Sequence, residues 1–179
     1  DGVERPTTNS NGKPIHPTVE GARNFWRWFG ESKVTDDQGR PLVVYHGTMA
    51  DVASFAVDKQ DPRDSGFWFG SAQIAGSYSA SANPLGNNII PARLSIKNPK
   101  VYYNRDVKIT PELIRQLKED GFDGVKRDFA AGEDAWRYGD TAEPEWAAFR
   151  PNQVKSAIGN AGSFRSEERR VGKECRMPC

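Results

Sequence analysis

The chain has 179 residues, a formal net charge of +1, 36% hydrophobic and 11% aromatic residues, which is enough to bury one small, aromatic-rich core without a second domain. So even a charge balance argues against a protein that grips nucleic acid mainly through phosphates, because such proteins carry a strongly basic face. No apolar run approaches the roughly 20 residues that cross a bilayer, and the first residues lack the basic start and apolar middle of a signal peptide, so a soluble domain without a membrane partner is expected.

Residues 1–17 are rich in Pro, Asn, Thr and Gly with no apolar period, and are expected to form a linker or exposed lead-in, with His16 a solvated loop histidine. From Thr18 the spacing becomes helical. Ala22, Phe25, Trp26 and Phe29 fall at i, i+3, i+4 and i+7, a core-facing stripe that Gly30 stops. Asp36-Asp37-Gln38-Gly39 is turn chemistry leading into Arg40-Pro41-Leu42-Val43-Val44-Tyr45-His46-Gly47-Thr48, a run of β-forming residues that ends in an imidazole, a glycine and a hydroxyl. A polar cluster at the end of a strand commonly lines a cleft.

Between Thr48 and Gly66 the chain is polar and suits a loop beside such a cleft. Gly66-Phe-Trp-Phe69 predicts a short aromatic strand, and Ser71 can cap a following helix that puts Ile74 and Tyr78 on one face. Asn88 to Ile96 and Val101 to Tyr103 are strand candidates, with Pro91 implying an edge or a bulge in the first. Thr110-Pro111-Glu112 opens a helix whose apolar face is Leu113, Ile114 and Leu117, and Gly121 closes it. Gly121 to Gly124 turns into a strand at Val125, where Lys126 and Arg127 would be available to face phosphates. A loop from about Ala130 to Ala142 precedes Trp146 to Phe149, which reads as a further strand, with Glu145 just ahead of it.

The last fifteen residues stand apart. Arg165 to Cys175 resembles the in-frame translation of a common short-read sequencing adapter, and the other reading of 165–179 is a solvated, disordered charged tail. Both cysteines, Cys175 and Cys179, lie there, so neither staples a core, and two such ligands do not make a structural zinc site. The domain proper is taken as 18–164, and no metal is expected.

Three blocks in order carry a resemblance: Tyr45-His46-Gly47-Thr48; Gly66-Phe67-Trp68-Phe69 with Ala75-Gly76-Ser77-Tyr78; and Glu145-Trp146-Ala147-Ala148-Phe149. Together they resemble the His-Tyr-Glu class of ADP-ribosyltransferases, to which diphtheria toxin and the poly(ADP-ribose) polymerases belong. The flanks Trp28-Phe29-Gly30, Gly39-Arg40-Pro41-Leu42 and Pro151-Asn-Gln-Val-Lys-Ser156 with Gly159-Asn160 are similar to the domains of that class found in phage and mobile-element polyvalent proteins. The resemblance implies an α+β fold with a split, curved β-sheet and flanking helices around an NAD cleft, NAD being the substrate.

By the same resemblance, His46 would hydrogen-bond a ribose hydroxyl, Thr48 would support the turn, and the Gly47 backbone would pair with the nicotinamide carboxamide. Trp68 and Tyr78 would sandwich the nicotinamide ring by stacking and cation–π attraction. Glu145 would be catalytic, stabilising the oxocarbenium-like charge as the glycosidic bond breaks. Gln153, Lys155 and Asn160 are assigned packing and turn roles. Trp68 stands where the class has its first tyrosine, and Glu143 makes a Glu-x-Glu pair with Glu145, although Pro144 can turn it elsewhere.

Each residue also has a plainer reading. His46 could be a satisfied half-buried histidine, Trp68 and Tyr78 core aromatics, Glu145 a strand residue on the solvent face, and Glu143 a loop acid. At the level of function, the leading expectation is transfer of one ADP-ribose to a protein of a host cell met by a phage or plasmid. An NAD glycohydrolase and a non-catalytic NAD-binding or structural module of a larger protein are the alternatives.

Overall fold

A computed structural model describes residues 2–48, 66–80, 88–103, 106–130 and 143–158, with the side chains of 77–80 outside the description. The architecture is α+β. Strands β1 (Val44–Thr48), β2 (Phe67–Phe69), β3 (Asn88–Leu94), β4 (Pro99–Tyr102), β5 (Gly124–Arg127), β6 (Glu145–Ala148) and β7 (Val154–Ser156) are interleaved with helices α1 (Val19–Phe29), α2 (Ala72–Ala80) and α3 (Pro111–Glu119). The strands form two curved sheets, as a split sheet requires: a three-stranded one in the order β1-β3-β7 and a four-stranded one in the order β2-β6-β5-β4. All pairs are antiparallel except β4 with β5, which α3 connects as a crossover.

The helices begin and end where their caps dictate. The Thr18 hydroxyl accepts from Gly21 N, and Gly30 stops α1 at φ +56°, its N–H donating to Trp26 O. Phe25 and Phe29 are buried and stack with ring centroids 5.0 Å apart. In α3 the Thr110 hydroxyl accepts from Leu113 N, Pro111 fills the first turn where no N–H is needed, and Ile114 and Leu117 turn inward.

The first residues are a correction to the sequence reading of 1–17 as a linker or exposed lead-in. Within the described residues 2–17, Ile15 is 4% exposed and joins Phe25 and Phe29 in one cluster. Trp26 Nε1 donates to Pro6 O, Arg93 donates to Ile15 O, and Ser10 N donates to Pro41 O. One apolar side chain and a set of backbone hydrogen bonds hold this segment down, and neither leaves a periodic pattern in the sequence. His16 is likewise seated: a Cβ placed on Gly21 would come within 1.9 Å of its Nδ1, so the small residue makes room for the ring.

Pro91 is a second correction. It sits on β3, the middle strand of its sheet, rather than on an edge, and the registers with β1 and β7 run without an inserted residue. Opposite it, Tyr45 turns its N–H and C=O away to Gly70, while Pro91 O accepts from Ala157 N just beyond β7. The ladder between β3 and β7 covers only Ala92 to Leu94, so the missing proline N–H falls outside it.

The core lies where the two sheets meet. Val44, Ala92, Leu94 and Val154 of one sheet pack against Phe69, Trp146 and Ala148 of the other, with Val34 and Ile96 between. On the far face of the four-stranded sheet, Val125 and Ala147 are covered by Ile114 and Leu117 of α3 and by Phe149. All four residues of β6 are buried, so its alternation sends Trp146 and Ala148 to the first core and leaves Glu145 on the same side as Ala147. Gln153 ties the end of β6 to the end of β3 and the start of β5: its Oε1 accepts from Phe149 N and Arg150 N, and its Nε2 donates to Ser95 O and Asp123 O.

Candidate active site

The two sheets touch beside the residues that the sequence singles out. Tyr45 N donates to Gly70 O at 2.8 Å and Gly70 N to Tyr45 O at 3.0 Å. One residue further on, His46 Nδ1 bonds the Trp68 carbonyl at 2.8 Å. A carbonyl oxygen only accepts, so Nδ1 carries the hydrogen; in the neutral ring this leaves Nε2 as an acceptor. The imidazole is therefore fixed in orientation and tautomer by the strand of the opposite sheet, and its ring lies 5.4 Å from that of Phe69.

A cavity of about 400 Å³ opens at this seam, within the range of small-molecule sites. Its walls combine His46 and Gly47 of β1, Trp68 and Phe69 of β2, Ile74 and Ala75 of α2, Ile109, Arg127 of β5 and Glu145 of β6. Gly47 is required by packing. A Cβ there would lie 2.1 Å from Ala75 O, so α2 can press its backbone directly onto β1 and form one side of the cavity. This close approach to a helix adds a structural reason for the glycine to the ligand contact that the resemblance implies.

Glu145 is 5% exposed and does not lie on a solvent face. It stands opposite Arg127 in the antiparallel pairing of β5 with β6, and Arg127 Nη1 reaches its Oε2 at 3.4 Å. The same guanidinium donates to Val107 O at 3.2 Å and lies 4.5 Å from the centre of the Trp68 ring. Arg127 thus holds the acid with one nitrogen, a backbone carbonyl with another, and sets its cationic carbon over an indole. Its Nε is buried without a hydrogen-bond partner among the described residues.

Of the residues expected in the site, His46, Gly47, Trp68 and Glu145 line the one cavity. Thr48 ends β1 opposite Asn88 and is not among the described lining residues. Tyr78 belongs to α2, but its side chain falls outside the described residues, as do Asn160 and the segments 131–142 and 165–179. Glu143 is exposed, while Lys155 is buried at 7% exposure. Lys126 and Arg127, expected to be available to phosphates, each have a partner within the chain. Lys126 pairs with Asp128 and lies over the Trp146 ring, and Arg127 turns to Glu145.

Arg127, Ile74 and Ile109 were not assigned to the site from the sequence. For Arg127 a signal exists in the alternation of Gly124-Val-Lys-Arg127, which puts Arg127 on the face of Val125. Only the strand register adds that Glu145 is its neighbour. Among the described residues no cluster of metal-ligating side chains occurs, and no helix is long and apolar enough to cross a membrane.

Compared with curated proteins and with solved structures, the chain matches none. The family described as ADP-ribosyltransferase in polyvalent proteins matches residues 36–164, a span that begins at the turn before β1 and takes in every strand and each wall of the cavity. The chain belongs to this family of ADP-ribosyltransferases.

Proposed function

We propose that the domain transfers a single ADP-ribose from NAD to a protein acceptor of a host cell, releasing nicotinamide, as an effector carried by a phage or mobile element. Family membership supports ADP-ribosyl transfer as a class of reaction. The observation that carries the finer reading is the convergence of His46, Trp68 and Glu145, drawn from three strands and both sheets, on one cavity.

In this reading the His46 Nε2 accepts a hydrogen bond from a hydroxyl of the nicotinamide ribose, its Nδ1 being already engaged by Trp68 O. Trp68 offers the indole on which the cationic nicotinamide ring stacks, an attraction of roughly 0.5 to 2 kcal/mol. The resemblance alone assigns the second stacking ring to Tyr78, the supporting hydroxyl to Thr48 and the carboxamide contact to the Gly47 backbone. Glu145 then faces the ribose. As the bond from C1′ to the nicotinamide nitrogen lengthens, its electrons leave with neutral nicotinamide and positive charge grows on the ribose, where a buried carboxylate stabilises it. The acceptor's nucleophile forms the new bond at C1′ and loses its proton.

Incubating the domain with NAD labelled in the ADP-ribose and a host lysate tests this directly. Label is expected on acceptor protein together with free nicotinamide. Free ADP-ribose with no labelled protein would assign water as the acceptor, and intact NAD would reduce the domain to a binding or structural module. Glu145→Gln is expected to lower turnover at least about 100-fold with NAD binding largely kept, and unchanged turnover would remove Glu145 from the chemistry.

A further inference from the structure

We propose that Arg127 is a positioning residue for Glu145, an inference that rests on the reading of Glu145 as the acid that faces the ribose. A glutamate at a strand end carries three side-chain torsions, and among the described residues its carboxylate makes one hydrogen bond, to Arg127. Burial limits its rotamers, and among the described residues Arg127 supplies the polar contact that selects the orientation of the carboxylate. Arg127 is itself located at separate points: β5 sets its Cα opposite Glu145, Val107 O accepts from Nη2, and Cζ lies over the Trp68 ring at 4.5 Å from its centre. One side chain therefore references the acid to the stacking indole and to the segment just before α3.

The distance decides what kind of contact this is. A charge-assisted hydrogen bond between guanidinium and carboxylate is about 2.7 to 2.9 Å long, whereas Arg127 Nη1 and Glu145 Oε2 are 3.4 Å apart. A tight bidentate fork would use both carboxylate oxygens and cancel much of the negative charge needed against the ribose. A long contact to Oε2 alone aims the carboxylate and leaves Oε1 unengaged among the described residues. Arginine is also the residue that can do this. Its fork bonds a carbonyl and a carboxylate through separate nitrogens while its charge lies over an indole, which a single lysine ammonium does not reproduce.

The test is a double-mutant cycle read in kcat for nicotinamide release and in the dissociation constant for NAD. Arg127→Ala is expected to lower kcat by about 10- to 100-fold, the penalty of a misplaced catalytic group, with the dissociation constant changed by no more than about 3-fold, and Arg127→Lys to recover only part of the loss. In the Glu145→Gln background, Arg127→Ala is expected to cost less than about 2-fold, because its effect passes through the acid. Equal kcat for Arg127→Ala and wild type, or losses that multiply in the double variant, would overturn the inference. Should Arg127→Ala melt below the assay temperature, Arg127→Lys carries the same cycle with the same criteria. Failure of the wild type to release nicotinamide would instead remove the proposed function itself, so the two failures are told apart.

Discussion

Gly47→Ala is expected to push α2 off β1. A methyl group built on Gly47 lies 2.1 Å from Ala75 O, 2.9 Å from Ala75 C and 3.2 Å from Ala75 Cα, where ordinary van der Waals contact begins at 3.4 Å. The clash is with helix backbone, so no side-chain rotation relieves it, and the helix or the strand must retreat by more than 1 Å. Overpacking of this kind costs about 1 to 3 kcal/mol. At about 2 to 4 °C per kcal/mol for a domain of this size, the melting temperature should fall by about 2 to 12 °C, followed by circular dichroism. Activity should fall with it, because Gly47 and Ala75 both line the cavity. Gly76→Ala on the same helix is the matched control: the nearest described atom to its new methyl is Ile89 Cδ1 at 3.9 Å, and replacing a mid-helix glycine gains up to about 1 kcal/mol. The two variants should therefore move in opposite directions. A Gly47→Ala protein that melts at or above the wild-type temperature would refute this account of why the residue is glycine.

Trp68→Ala should raise KM for NAD by about 2- to 30-fold, the equivalent of the stacking energy lost, and should also lower kcat because Arg127 loses the ring it lies against; steady-state kinetics reads both. Gln153→Ala should lower stability in urea by at least about 2 kcal/mol, since it strips partners from Phe149 N, Arg150 N, Ser95 O and Asp123 O together. A pH effect is expected at Asp36. Partial burial acts to raise its pKa, but bonds from the Arg40 side chain, Arg40 N and Gln38 N outweigh that and hold the carboxyl below its ordinary value. A group depressed in the folded state contributes stability above its unfolded pKa and loses it as pH falls through the folded one. Asp36→Asn should thus melt lower than wild type at neutral pH, with the difference shrinking as the pH falls through the depressed pKa of the folded state.

How much of this was legible beforehand differs by element. Helices α1 and α3 were readable because period, caps and stop glycine agree: Thr18, the stripe from Ala22 to Phe29, and Gly30 all indicate the same helix. The walls of the candidate site were half readable. His46, Gly47, Trp68 and Glu145 sit in short blocks whose order could be recognised, and the cavity gathers all four. Arg127 was not, because its role depends on a pairing between β5 and β6 across eighteen residues, and register between strands is not written in either strand alone. Residues 2–17 hid their attachment for a different reason. Backbone hydrogen bonds such as Ile15 N to Thr7 O leave no trace in side-chain composition. Pro91 misled because a general preference for edges ignores which side of the strand its missing donor faces.

His46 belongs to the three-stranded sheet, whereas Trp68, Arg127 and Glu145 belong to the four-stranded one. Neither half owns the complete set of residues proposed to act on NAD. Amide exchange at Tyr45 and Gly70, whose mutual bonds join the halves, would therefore report how firmly the two walls of the cavity are held together, separately from the stability of either half.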